Sequence, residues 1–304
     1  MTIRILLTVL GLSVSLLLAQ ATEPTTILGV LEEIPGRFGG QPDFRAVRIL
    51  FQKNGREWRP FPSSCPDPVC LQTVTSQFPS VVTWTIAFSG RSLGQVTGRT
   101  PKTFQGYSSI GLQEITSKGP VPTVGKRSSE YGGWIAKPVF RPLVVNSRPF
   151  FVDPDSWKPA RVSDEVTEVL RREFRRKFPK VSNCTTQDNE TAKPWRYPDA
   201  DIKIIKAYSS KRAWTAAAVL LAGSRCQLPP GDPTYDAFDS QWFAMGPHNE
   251  IRFLGQGMWL VDAGDYDNDG RSELVFATAG YNRDGYKLFY EDFKRHAGFE
   301  FSYH

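Results

Sequence analysis

Histidine is nearly missing from this chain of 304 residues: there are three, His248, His296 and His304. They share no metal-ligand spacing, so no imidazole site of the zinc kind is encoded. A G-x-S-x-G elbow is absent, which excludes a nucleophilic serine of that class. The stretch 119–126 has the outline of a phosphate loop. Its spacing is one residue too long, and Arg127 stands where a Ser or Thr must hold Mg²⁺. Gly255-Gln256-Gly257 lacks the third glycine of a dinucleotide fingerprint. An excess of one charge is missing too. Lys and Arg number 37 against 31 Asp and Glu, for a formal charge of +6. That mild basicity is no nucleic-acid footprint. Beyond the N-terminus there is no long apolar run. The most apolar piece, 216–222, is cut short by Gly223 and falls well below the ~20 residues of a membrane span.

What the chain does have is 40% apolar and 12% aromatic residues, with 25 Gly and 23 Pro. That composition suits a packed core of strands and turns. It excludes a disordered chain, a collagen or a coiled coil. The first residues read as a secretory leader: Arg4, an apolar run over 5–18, then Ala19-Gln20-Ala21 as a small-x-small cleavage site. Cleavage is expected before Thr22, leaving 22–304 as one β-rich domain outside the cytoplasm, extracellular or periplasmic. A membrane anchor is the alternative for the same segment, though its run is short for one. The four cysteines, Cys65, Cys70, Cys184 and Cys226, all follow the leader. An even count in a secreted chain suggests disulfides, with Cys65–Cys70 and Cys184–Cys226 the favoured pairing of three. A four-cysteine zinc site is the rival, but paired C-x₂-C knuckles are lacking. Asn183 and Asn189 each stand in an N-x-T glycosylation tripeptide.

Strands are expected at 26–36 and 45–52, with Asn54-Gly55 turning the second into a hairpin through Trp58 and Phe61. Further strands are expected at 81–88, 92–97, 107–115 and within 142–152. One amphipathic helix is expected at 163–178. Ser163 caps it, Asp164 and Glu165 favour its first turn, and Val166, Leu170 and Phe174 form its stripe. Its arginines read as a solvated face. From residue 200 the pattern sharpens into two runs of four strands. The first is 202–208, 213–222, 241–245 and 250–254; the second is 258–261, 273–278, 286–292 and 299–303. Units of this kind suggest blades, so the expected fold is mostly β and β-propeller-like, with about five four-stranded blades. Two β-sandwiches are the alternative.

One loop carries chemistry. In Asp265-Tyr266-Asp267-Asn268-Asp269-Gly270-Arg271-Ser272-Glu273, acids occupy positions 1, 3, 5 and 9. The Arg271 carbonyl falls at position 7, and Gly270 allows the sharp turn. Carboxylates this close repel one another unless a cation neutralises them. Oxygen donors on one flexible loop suit Ca²⁺. An EF-hand would need helical flanks and a Glu at position 12. Here the flanks are Trp259-Leu260-Val261 and Leu274-Val275-Phe276, and position 12 is Phe276. The segment 255–304 resembles an FG-GAP or VCBS-type repeat, in which such a loop joins two strands of a β-propeller blade. Gly264 to Gly270 matches its core, and 280–289 matches the hairpin that completes the blade. Glu273 replaces the usual Asp at position 9. The resemblance implies a structural Ca²⁺ held by Asp265, Asp267, Asp269, Arg271 and Glu273.

No catalytic constellation accompanies this loop. Asp153-Pro154-Asp155 reads as a turn before the helix, and Trp134, Trp157, Trp195 and Trp242 as packing residues that could include a sugar platform. The expectation is therefore a binding module that recognises an extracellular protein or glycan. It involves no nucleic acid and no membrane span after cleavage. An extracellular hydrolase or lyase on the same fold is the alternative, and a scaffold component of a secreted assembly is a third reading.

Overall fold

The apolar runs become strands at nearly every expected place, but the sheets they build are not five blades. The computed structural model describes residues 25–36, 43–63, 68–101, 107–132, 137–148, 152–179, 181–183, 193–195, 197–222, 240–280 and 282–302. The expected leader, Cys65, Cys184, Cys226, Asn189 and Trp134 lie outside these residues. The first half contributes β1 (Ile27–Ile34), β2 (Phe44–Asn54), β3 (Glu57–Pro60), α1 (Pro68–Thr75), β4 (Val81–Phe88), β5 (Arg91–Arg99), β6 (Leu112–Ile115) and β7 (Leu143–Asn146). Then follow β8 (Lys158–Pro159), α2 (Asp164–Lys177), β9 (Val181–Asn183), β10 (Lys193–Trp195), β11 (Ile202–Ser209) and β12 (Thr215–Leu221). The chain continues through β13 (Gln241–Met245), β14 (Ile251–Gln256), β15 (Met258–Gly264), β16 (Glu273–Gly280), β17 (Arg283–Tyr290) and β18 (Arg295–Ser302).

The N-terminal strands close into a six-stranded barrel in the order β1-β7-β4-β5-β6-β2, because β2 also pairs with β1. One edge of β2 serves two partners in turn. Residues 46–48 pair with β6, and residues 51–54 pair with β3. Closure leaves these strands without an open edge. Trp84 fills the interior, and its indole N–H donates to Gln113 Oε1 at 2.9 Å. The β4–β5 hairpin turns through Ser89 and Gly90, both left-handed at φ 49° and 69°, as a two-residue turn of the primed kind requires. A side chain at Gly90 would also strike the Asp153 backbone nitrogen at 2.8 Å.

The C-terminal half is two antiparallel meanders stacked in layers. β15 to β18 form one sheet in chain order. β14-β13-β12-β11 form the other, with β8 added at the edge. Alternation along β16 shows how the first is placed. Val275 and Ala277 join the barrel's core, while Leu274 and Phe276 join a second core shared with the five-stranded sheet. In β12, Ala216 and Ala218 face that second core, and Ala217 and Val219 face a third one built on α2. The layers thus run barrel, sheet, sheet, helix. A strand buried on both faces has no need of polar alternation, which is why 274–276 and 216–219 read as unbroken apolar runs. Trp242 pins the two sheets together, its indole N–H donating to the Met258 carbonyl at 2.6 Å.

The helix follows expectation: Ser163 Oγ accepts from the Val166 amide at 3.3 Å, and Leu170 and Phe174 are fully buried. Other expectations need correction. The propeller of about five blades is not shown, and neither are two separate sandwiches, because the first half closes on itself instead of stacking as meanders. The strand expected at 107–115 begins only at Leu112, since Tyr107–Ser109 is a 3₁₀ turn and Gly111 is left-handed at φ 76°. The candidate within 142–152 is a four-residue strand. α1 was not expected. It starts on Pro68, which suits a first helical turn, but the preceding Pro-Asp-Pro spacing reads as loop.

Candidate metal centre

The acidic loop joins β15 to β16, and the pairing of Gly264 with Glu273 closes its base. Each end is tied to other parts of the fold. The Asp265 amide donates to the Val152 carbonyl at 2.6 Å, and Asn146 Nδ2 donates to the Tyr266 carbonyl at 2.7 Å. Tyr266 is fully buried in the core shared with the barrel, so it anchors the loop by its apolar body. Ser272, next to Glu273, is clamped by the turn before β8. Its hydroxyl donates to Asp153 Oδ1 at 2.5 Å, and its amide donates to Asp155 Oδ2 at 3.1 Å. The Asp153 and Asp155 carboxylates therefore hold this loop, a role that sequence spacing could not reveal.

Inside the loop the backbone curls around its own acids. Asp265 accepts from the amides of Asp269 at 3.0 Å and Gly270 at 2.9 Å, and Asp269 accepts from the Arg271 amide at 2.8 Å. Left-handed Asn268 (φ 61°) and Gly270 (φ 85°) allow that curl. One carboxylate oxygen from each of Asp265, Asp267 and Asp269 lies within 4.8 Å of the others. Beneath them Glu273 is 2% exposed, and its Oε2 accepts from the Tyr266 amide at 2.8 Å. The Arg271 side chain is engaged elsewhere, donating to Asp292 Oδ2 at 3.0 Å.

The electrostatics are one-sided. Burial first, and then Asp267, Asp269 and Asp265, hold the Glu273 carboxyl well above the ordinary range. Burial raises Asp265 as well, with Asp267 and Asp269 adding to it; burial and then Asp267 raise Asp269. Among the described residues, the ion pair made by these four acids is Lys53 with Asp267, reaching over from the end of β2. Four carboxylates around one ammonium leave a surplus of negative charge in a half-buried place. All the donors are hard oxygens on one loop, which fits Ca²⁺ better than softer metals. Nearby, Asp262 on β15 is buried; its Oδ1 accepts from the Ser89 amide at 3.0 Å, and its Oδ2 has no hydrogen-bond partner among the described residues. Burial pushes this carboxyl up to about 7.

Sequence reading missed a second feature. Between the barrel and the β15–β18 sheet lies a cavity of about 250 Å³, with Glu32 and Arg48 at its floor and Trp259 on its wall. Nothing in residue spacing joins these groups, which meet only through pairing of distant strands. Of the expected sugar platforms, two are placed away from it: Trp242 is core, and Trp157 packs edge-on against Phe293 at 5.8 Å. Compared with models of protein families, with curated proteins and with solved structures, the chain matches none.

Proposed function

We propose that this chain is a secreted binding module that recognises an extracellular protein or glycan and is stabilised by one Ca²⁺ in the loop 265–273. The observation that carries the metal is the imbalance at Glu273, a carboxylate 2% exposed that faces three aspartates with Lys53 as their one ion-pair partner among the described residues. Ca²⁺ would be held by the carboxylates of Asp265, Asp267, Asp269 and Glu273, with the Arg271 carbonyl as a fifth oxygen. Bound there, it would supply positive charge and no chemistry of its own. In this reading β15–β18 is a blade-like unit of the FG-GAP/VCBS kind, β11–β14 is its neighbour, and the barrel is a separate elaboration. The leader at 1–21 supports export, and millimolar Ca²⁺ outside cells would keep such a loop filled.

With a Kd of about 10⁻⁴ M, millimolar Ca²⁺ adds about 1.4 kcal/mol of stability. The test is thermal melting of the purified protein in millimolar Ca²⁺ and in excess EDTA, beside Asp267→Ala. A Ca²⁺-dependent rise of a few degrees, lost in the variant, is expected. Equal melting in both buffers for the native protein would end the metal reading.

A further inference from the structure

The cavity lies at the end of β16 away from the acidic loop, lined by Ala277 to Ala279 rather than by Glu273. Four to six strand residues separate the two places, roughly 13–20 Å. Its floor is a closed network of charge. The Arg48 guanidinium donates to both oxygens of Glu32 at 3.0–3.2 Å and to the carbonyls of Ser108 at 2.9 Å and Ile110 at 2.8 Å. It lies 3.8 Å from the centre of the Phe301 ring, and Tyr286 O–H donates to Glu32 Oε1 at 2.7 Å. Glu33, also at the cavity, is matched by Arg127 and by the Phe140 amide at 2.7 Å. A charged occupant would therefore meet, at Glu32 and Glu33, carboxylates whose counter-charges are already in place; Asp284, the third carboxylate of the lining, is engaged as well.

The walls are of two kinds. Trp259 and Tyr131 form one apolar side, their rings 5.1 Å apart and tilted by 51°. Ser108, Ser109 and Thr278 bring hydroxyls, which both donate and accept. The volume lies just below the ~300–1,000 Å³ of pockets for drug-sized ligands, enough for one ring. A ligand that matches all of this has one apolar face, a rim of groups that donate and accept, and no charge. A purely apolar ring would leave the hydroxyls unpaired at a cost.

We propose that this cavity binds a single neutral sugar ring of a glycan, its apolar face against Trp259 and its hydroxyls toward Thr278 and the Ser108–Ser109 turn. The inference rests on the binding-module reading above and names its ligand class and its place.

The test is saturation-transfer NMR and calorimetry on the purified protein in Ca²⁺ buffer. The probes are the methyl glycosides of glucose, galactose, mannose and N-acetylglucosamine, set against glucuronic acid and glucosamine. At least one neutral glycoside is expected to bind saturably, with its charged counterparts weaker. Trp259→Ala should weaken it by about tenfold or more. Thr278→Val, a milder change, should weaken it several-fold with an unchanged melting point. Absence of binding by every neutral glycoside, preference for a charged sugar, or native affinity in a folded Trp259→Ala protein would each overturn the assignment. If that variant keeps its Ca²⁺-dependent melting shift and still binds whole glycans or surface proteins, the module reading stands and the cavity assignment alone falls.

Discussion

At one end of the β16 strand, Glu32 is gripped by Arg48 and Tyr286, and every charge of the floor has its partner. At the other end, Glu273 faces Asp265, Asp267 and Asp269, with Lys53 on one of them. The first cluster is buried and the second half-buried, so both pay for desolvation; they differ in what offsets it. The first is complete within the chain, with a guanidinium whose donors match the carboxylate and two carbonyls. In the reading proposed above, a bound Ca²⁺ completes the second. On that proposal the same sheet carries a self-contained joint to the barrel and a loop whose stability would depend on the Ca²⁺ of the medium.

The largest effect expected from that contrast comes from breaking the complete cluster. Arg48→Met leaves the Glu32 charge and two carbonyls without their donor, which should cost about 3–5 kcal/mol in urea denaturation. Adding Glu32→Gln should recover much of this, because the uncompensated charge is gone. A single-variant cost below about 1 kcal/mol would dissolve the contrast between the two ends.

Next is pH, with the protein free of divalent ions. The Asp262 carboxyl stands at about 7 in the fold, and a free aspartate at about 3.9. Between those values the folded state holds a proton that the unfolded chain has released. Stability in EDTA should therefore be greatest near the acid end of that window and fall as pH rises through it. Asp262 accounts for up to about 4 kcal/mol of that fall. Glu273, Asp265 and Asp269 are raised too and act with the same sign. Asp262→Asn should flatten the profile by its share, and saturating Ca²⁺ by that of the loop. Denaturation midpoints across pH check both, and a stability that rises with pH in EDTA would reverse the argument.

The smallest effect sharpens the comparison at Lys53. Its ammonium sits where a metal would draw on Asp267, so Lys53→Met should raise Ca²⁺ affinity a few-fold, under about 1 kcal/mol. Calorimetric titration reads it directly. A weakened affinity would mean that Lys53 helps to shape the filled loop instead of competing with it.

Local pattern carried much of this fold. The eight strands after residue 200 lie where alternation and turns place them, and Ser163 caps the helix that its stripe and acids announce. The acidic loop was legible because its residues are neighbours in sequence and its flanks are short apolar runs. Barrel closure was not legible: it depends on β1 meeting both its neighbour β2 and β7, which lies more than a hundred residues away. Asp153 and Asp155 read correctly as a turn, yet their carboxylates clamp Ser272, 119 and 117 residues away. Lys53 and Asp267 are 214 residues apart, and Tyr286 and Glu32 are 254 apart.

By itself, then, the sequence determined the strands, the helix and the curl of the acidic loop. Those depend on period, caps and left-handed turn positions within a few residues of one another. Only the tertiary structure decided which faces were buried twice, which carboxylates met a cation and where a cavity remained. Those outcomes follow from burial and from the matching of charges across strands, and neither is written in any single stretch of chain.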